Sequence, residues 1–257
     1  MCCLGVLLQD LSGYKASKII GKIDTILIPI GTLEPHGPHS SILTDALIAE
    51  WMARDIDKLI GDKILVAPTI NFGHTWHLSK MPGSHDVPGG VLADYVYEVI
   101  KGFKSWQIKY AVIVNGHGGN LIPLNEAAER SADIGIKTLI LSWWLGATNW
   151  GLQGIVQDIF GHGGEAETSI IMSIGENLVD YDLIPKDKHN YAPAGFYDRY
   201  DPDVNDAAYL GSYTGSPFLA SKEKGDKLRE KIAEKMVEHV EAFREGTFVP
   251  SNASAWG

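Results

Sequence analysis

Thr25–His39 reads TILIPIGTLEPHGPH, an apolar and largely β-branched run that passes directly into a turn rich in Gly and Pro. A short run of this composition predicts a buried strand. The turn carries Glu34, His36 and His39, and Asp45 follows His39 by six residues. Because α/β proteins build their sites in loops at the carboxyl ends of strands, this turn is a candidate site.

Strand-like runs alternate with segments of helical periodicity along the rest of the chain. This alternation predicts an α/β protein, a three-layer α/β/α sandwich around a mostly parallel sheet. We expect strands at Thr25–Ile30, Lys63–Pro68, Tyr110–Asn115 and Lys137–Trp143, and helices at Asp45–Ile60, Val91–Trp106, Pro123–Ile134, from Glu165 onward, and at Ser221–Glu245. No repeat or linker divides the chain, so we expect one domain over residues 1–257.

The overall composition argues against several classes of partner. The formal net charge is −10 and no extended basic cluster is present, so nucleic acid is not an expected partner. No apolar stretch approaches the roughly 20 residues of a membrane span, and the first residues lack the positive region of a signal peptide. Cys2 and Cys3, the only cysteines, are adjacent and cannot form a disulfide framework. We therefore expect a cytoplasmic protein with no membrane partner.

The first polar turn offers the ligand types of a transition-metal site. Glu34 and His36 are two residues apart, so in an extended segment they point the same way. Mixed Asp, Glu and His sets suit zinc, manganese or iron and leave room for a bound water. For Asp45 there is a plainer alternative, because a carboxylate is favoured in the first turn of any helix.

A second polar turn, Asn115–Asn120, reads NGHGGN and follows another predicted strand. Its three glycines let the backbone turn sharply. The turn could cradle a phosphate at a helix N-terminus, or it could present His117 to a metal. It lacks the Lys-Ser/Thr ending of a P-loop, and the central histidine favours the metal.

The third turn, Gly161–Ser169, reads GHGGEAETS at the start of a predicted helix. Acidic residues in a first helical turn satisfy the helix dipole, which accounts for Glu165 and Glu167 but not for His162. All three turns adjoin strand ends, which gather at one edge of a parallel sheet. Five or six metal-binding side chains at that edge predict a metal site.

These segments carry a family resemblance. Pro29–His39 with Thr44–Asp45, Asn115–Asn120 and His162–Ser169 resemble, in this order, the three signature blocks of the creatininase (creatinine amidohydrolase) family. Pro82–Ser84 and Gly215–Ser221 resemble its weaker blocks. The resemblance implies an α/β/α sandwich, a homo-oligomer that is usually a hexamer, and two divalent transition metal ions per chain, which are zinc, manganese or iron.

The resemblance also implies residue roles. The positions that match metal ligands are Glu34, His36, Asp45 and His117, with Asp45 in the position that bridges the two ions. Glu167 is our choice for the remaining carboxylate ligand, and Glu165 is the runner-up. His162 matches the histidine that acts as acid and base, and we place Glu165 beside it as a second catalytic candidate.

One departure from the family pattern concerns the substrate. Creatininase itself carries a metal-binding glutamate two residues after the motif histidine, where this chain has Gly119. The chain is more similar to relatives such as formamide deformylases, peptide-trimming members and inosose ring-openers. We expect hydrolysis of a C–N bond in a small cyclic or linear amide, with the small-molecule substrate contacting His77 and Trp144. The other loop histidines are expected at the surface: His39, His74 and His85.

Two other functions stay open at this point. One is hydrolytic ring opening of a cyclic polyhydroxy ketone such as an inosose, in which water cleaves a C–C bond. The other is a non-catalytic nucleotide- or phosphate-binding α/β module that uses the loop Gly116–Asn120.

Overall fold

A computed structural model describes residues 6–61, 63–158, 160–189 and 212–247. Within these ranges, five strands form one sheet in the order β1-β3-β2-β4-β5, and every pairing is parallel. The strands are β1 (Val6–Leu7), β2 (Thr25–Ile30), β3 (Leu65–Val66), β4 (Tyr110–Asn115) and β5 (Lys137–Ser142). Ile30, Asn115 and Ser142 lie side by side, so the carboxyl ends of the three long strands are level.

Helices cover both faces of the sheet, which confirms the predicted three-layer sandwich. They are α1 (Gly13–Ile19), α2 (Thr44–Ile60), α3 (Gly89–Gly102), α4 (Leu121–Asp133), α5 (Trp143–Asn149), α6 (Glu165–Ile174) and α7 (Lys222–Glu245). One core joins alternate strand residues such as Leu27 and Val112 to α2, α6 and α7. The other joins Ile26, Ile28 and Ile113 to α3 and α4. That residues 1–257 form a single domain stays a prediction.

Strand β3 is shorter than the predicted run Lys63–Pro68. Pro68 has no amide hydrogen, so the regular ladder cannot continue through it. Pairing resumes at Ile70, whose N–H donates to the Pro29 carbonyl at 3.0 Å and whose carbonyl accepts from Gly31 N at 3.0 Å. The chain therefore still follows β2 to its carboxyl end, where the first polar turn begins.

Three short elements were not predicted: β1, α1 and α5. The strand β1 has two residues, and it lies at the edge of the sheet. Helix α1 has seven mostly exposed residues, capped by the Ser12 side chain, which accepts from Lys15 N. Helix α5 begins at Trp143, where a strand was expected to end. None of the helices in the described ranges is long and apolar enough to cross a membrane. Cys2 and Cys3 lie outside the described residues.

Asp57 is a buried acid far from the polar turns, and it makes stability depend on pH. Its Oδ1 is buried without a hydrogen bond in the described structure. Burial raises its pKa to about 6, although the Val6 N–H and the charges of Arg54 and Lys58 oppose the rise. Because the folded pKa exceeds the unfolded value, the native state binds more protons between about pH 4 and 6, and stability falls as pH rises through that window.

We expect Asp57→Asn to raise the free energy of unfolding by about 1–2 kcal/mol at pH 8, because the variant carries no charge to bury. At pH 4.5 Asp57 is still largely protonated in the native state, so the advantage of the variant should be clearly smaller than at pH 8. Urea denaturation of both metal-free proteins at the two pH values measures this difference. A variant that is less stable than the wild type at pH 8 contradicts the expectation.

Candidate metal centre

The first two polar turns meet because β2 and β4 are neighbours. Gly31 and Gly116 directly follow these strands, and the first turn of α2 packs against both. A Cβ atom at Gly31 would overlap the backbone of Asp45 and Ala46, and one at Gly116 would overlap the Asp45 carbonyl. Asp45 is therefore held between the two turns by direct backbone packing.

The third turn reaches the same place from the start of α6. Gly163 has a φ of +57°, in the left-handed region, and its N–H donates to Glu167 Oε2 at 2.6 Å. The His162 carbonyl accepts from Thr214 N at 2.6 Å. These bonds turn the chain sharply so that His162 and Glu167 face the other two turns.

The three turns together form three overlapping groups of potential ligands: Glu34, Asp45 and His117; His36, Asp45 and Glu167; and Glu34, His36 and His162. In each group, one ligand atom from every residue lies within 4.8 Å of the others. Asp45 belongs to the first two groups, with Oδ2 2.9 Å from His117 Nδ1 and Oδ1 2.9 Å from His36 Nε2. His117 Nδ1 is also 3.3 Å from Glu34 Oε1, and His36 Nε2 is 3.5 Å from Glu167 Oε2.

Backbone carbonyls set which imidazole nitrogens face the cluster. His36 Nδ1 donates to the Glu34 carbonyl at 3.1 Å, and His117 Nε2 donates to the His74 carbonyl at 2.9 Å. The opposite nitrogens, His36 Nε2 and His117 Nδ1, therefore carry the lone pairs in the neutral rings. Both lone pairs point at carboxylate oxygens, and such an arrangement of acceptors needs a cation or protons between them.

Two observations test whether a metal fits here. His36 Nε2 and Asp45 Oδ2 are buried without a hydrogen bond in the described part of the chain, although ligand atoms surround them. With no metal bound, burial opposes the charged form of His36, but Asp45 and Glu167 outweigh it and raise the His36 pKa to about 10. A proton then supplies the positive charge that a metal ion supplies on binding. The residues present fit a metal centre.

His162 belongs to the third group, with Glu34 and His36, and its pKa shifts in the opposite direction to those of His36 and His117. Its Nε2 donates to the Pro35 carbonyl at 2.9 Å, its Nδ1 is 3.5 Å from Glu34 Oε1, and its ring centroid is 4.2 Å from that of His36. Burial, together with the charge of His36, lowers the His162 pKa to about 4. The ring is thus neutral near pH 7, with its lone pair on Nδ1 facing the cluster.

The side chains of the cluster are buried to different extents in the described part of the chain. The side chain of His162 is 17% exposed, and those of His117 and Glu167 are each 11% exposed. The side chain of His36 is fully buried, and those of Glu34 and Asp45 are nearly so. Among the described residues, His162, His117 and Glu167 are therefore the most exposed members of the cluster.

The remaining predicted site residues belong to none of the three ligand groups. Glu165 is outside it: its buried carboxylate pairs with Lys224 and accepts from Gln157 N at 2.8 Å and Asp158 N at 2.9 Å. Trp144 is half-buried, and its ring lies 4.0 Å from where a Cβ of Gly118 would be, next to His117. His77 is exposed, and its ring contacts that of Trp76, the residue that directly follows Thr75.

The sequence analysis missed several residues that support the cluster. The Thr75 hydroxyl donates to Glu34 Oε2, and the Asn120 amide joins the second polar turn to the Gly31 carbonyl. His39, expected at the surface, is instead buried, with Nε2 2.9 Å from Thr168 Oγ1. In the sequence these residues are simply polar side chains in turns, and nothing else there marks them as supports of the cluster.

Several known proteins are similar to this chain in sequence and fold. The family model described as creatinine amidohydrolase matches residues 9–240. The creatinine amidohydrolase of Pseudomonas putida is 26% identical over 80% of this chain and 84% of its own. The 3-dehydro-scyllo-inosose hydrolase of Thermotoga maritima is 26% identical over 96% of this chain and 88% of its own. A solved structure described as "Creatininase Mn" superposes with a TM-score of 0.81 at 24% identity, over 96% of this chain and 100% of that one, which supports the fold.

Proposed function

The chain belongs to the creatininase family, and from this premise we propose that it is a metal-dependent hydrolase whose binuclear site directs water against a C–N bond of a small cyclic or linear amide. The observation that carries the proposal is the pair of ligand groups that share Asp45. In our assignment Glu34, Asp45 and His117 hold one ion, and His36, Asp45 and Glu167 hold the other.

The proposed ligands suit zinc, manganese or iron(II), and they include three carboxylates to balance two divalent ions. When bound, the two ions activate water and polarise the substrate carbonyl. The protein's own contribution is to fix the ligand geometry and to bury most of the cluster. Manganese appears in the description of one structural neighbour, which makes it a sensible first metal to test.

His162 is the group that we propose for proton transfer. Its Nε2–H is committed to the Pro35 carbonyl, so Nδ1 is the atom that accepts the proton of the attacking water. The same atom then donates that proton to the leaving nitrogen as the C–N bond breaks. Glu165 does not reach the cluster, and we propose that its pairing with Lys224 joins α6 to α7 instead.

The backbone at Gly119 supports a substrate other than creatinine. A Cβ atom at this position would overlap the His74 carbonyl oxygen and would lie 2.6 Å from His117 Nε2. A glutamate here would therefore break the bond that orients His117, and the chain has no room for a metal-binding carboxylate at that point. Trp144, beside Gly118, and His77 are our candidates for substrate contact.

A second candidate function is hydrolytic ring opening of a cyclic polyhydroxy ketone. The observation that favours it is the Thermotoga maritima inosose hydrolase, which matches 96% of this chain. The same cluster would serve both reactions, because each begins with attack of water on a carbonyl carbon. Family membership disfavours the phosphate-binding alternative. A homohexamer and a cytoplasmic location stay predictions.

The test has two stages on untagged protein. Mass spectrometry of the metal content should find about two transition-metal ions per chain, either as purified or after reconstitution with manganese, zinc or iron(II). The loaded protein is then assayed against lactams, formamides and inososes. Turnover of an amide supports the first function, and turnover of an inosose alone replaces it with the second. Absence of metal after reconstitution refutes both.

A further inference from the structure

The segment 73–75 contacts one of the two ligand groups that share Asp45 through two of its residues. The His74 carbonyl accepts from His117 Nε2 at 2.9 Å, which leaves His117 Nδ1 facing Asp45. The Thr75 hydroxyl donates to Glu34 Oε2, which fixes the Glu34 carboxylate. Two of the three proposed ligands of the first ion are therefore oriented by this segment.

Asp86 holds the segment in place from outside the cluster. Its Oδ1 accepts from Thr75 N at 2.8 Å and from His74 Nδ1 at 3.0 Å. His74 Nδ1 also lies 3.0 Å from the Val87 carbonyl, and since both partners are acceptors this nitrogen carries a proton. Asn120 also fixes the position of segment 73–75, because its Oδ1 accepts a hydrogen bond from His74 N at 2.9 Å.

The other ligand group does not depend on this segment. Among the described residues, the hydrogen bonds of residues 73–75 reach Glu34 and His117, but none reaches His36 or Glu167. His36 is oriented by the Glu34 carbonyl, and Glu167 by the Gly163 N–H. A change at Asp86 should therefore act on one metal position and spare the other.

We propose that Asp86 is a positioning residue that sets the affinity of the Glu34/Asp45/His117 position for its metal ion, by holding the His74 carbonyl against His117 and the Thr75 hydroxyl against Glu34. The inference rests on the proposed binuclear site. Outer groups that orient metal ligands typically change metal affinity by about 10–100-fold when removed. In the described structure, the hydrogen bonds of Asp86 go to His74 and Thr75 and not to a proposed ligand side chain.

The test compares stepwise metal affinities of the full chain, measured by competition with a chromophoric chelator for manganese and zinc. Asp86→Ala should weaken one of the two binding steps by about 10–100-fold and change the other by less than about threefold. Asp86→Asn keeps an oxygen that can accept from Thr75 N, and it should recover most of the loss. The matched control Asp94→Ala removes an exposed aspartate of α3 that pairs with Arg130, and it should change neither step.

A second variant tests the same inference if Asp86→Ala does not fold. Thr75→Val removes only the hydroxyl that donates to Glu34, and it should weaken the same step as Asp86→Ala while the metal-free protein keeps its circular dichroism spectrum. Wild-type affinities at both steps in Asp86→Ala overturn the inference and leave the proposed function standing. Equal weakening of both steps also overturns it. A wild-type chain that binds no metal refutes the proposed function itself, and the inference with it.

Discussion

Asp45→Ala is expected to remove both metal ions and to lower turnover by at least about 10³-fold. Asp45 is the residue common to the two proposed metal positions, with one carboxylate oxygen 2.9 Å from His36 and the other 2.9 Å from His117. Its loss leaves each position with two protein ligands. Metal-ion catalysis supplies several kcal/mol of transition-state stabilisation, so a loss of about 4 kcal/mol corresponds to about 10³-fold.

The measurement combines metal content by mass spectrometry with steady-state kinetics on the substrate found in the screen. Asp57→Asn is a matched control, because it alters another buried aspartate of the same helix and should retain both ions. Asp45→Asn keeps one oxygen in place and should retain at most one ion per chain. Full metal content and full activity in Asp45→Ala would rule out a site bridged by this residue.

His162→Ala is expected to lower turnover by about 10²–10⁴-fold while both metal ions stay bound. The ring contributes Nδ1 for proton transfer, and in our assignment it is a ligand of neither ion, although with Glu34 and His36 it forms a third group of potential ligands. Since the substrate would still be held near the ions, the loss should fall on kcat more than on KM.

His162→Gln separates proton transfer from positioning. The glutamine amide can still donate to the Pro35 carbonyl, as His162 Nε2 does at 2.9 Å, but it cannot carry a proton at neutral pH. It should therefore be as slow as the alanine variant. Recovery of most activity by glutamine would assign His162 a positioning role, and loss of one ion in either variant would make it a metal ligand.

The elements that position the cluster could be predicted from sequence because their composition is distinctive. Strands β2 and β4 were predicted with the bounds that the structure gives them, since each is a buried β-branched run that ends at a glycine. The starts of α2 and α6 followed from the polar turns before them. The short elements β1 and α5 carry too few residues to show a period, and only their packing on neighbours defines them.

The site was predictable where a ligand type stood in a turn after a strand. Glu165 and Glu167 could not be separated in this way, because both are acids in the first turn of one helix. Their two-residue spacing puts them on opposite faces of that helix, and only the fold determines which face meets the other two turns. The supporting residues His74, Thr75 and Asp86 act through backbone carbonyls, amides and a hydroxyl that come together only in the folded chain. The spacing of these residues along the sequence does not predict such contacts.

The glycines at the ends of β2 and β4 have a consequence for how this centre can diversify. Because the first turn of α2 rests on Gly31 and Gly116, main-chain packing fixes the backbone of Asp45, the residue that we propose to share between the two ions. On that proposal, exchanging Glu34 or Glu167 for another ligand type would alter metal preference while Asp45 keeps its place. A laboratory library that holds these two glycines constant and varies the exposed rim would explore new substrates on an unchanged catalytic frame.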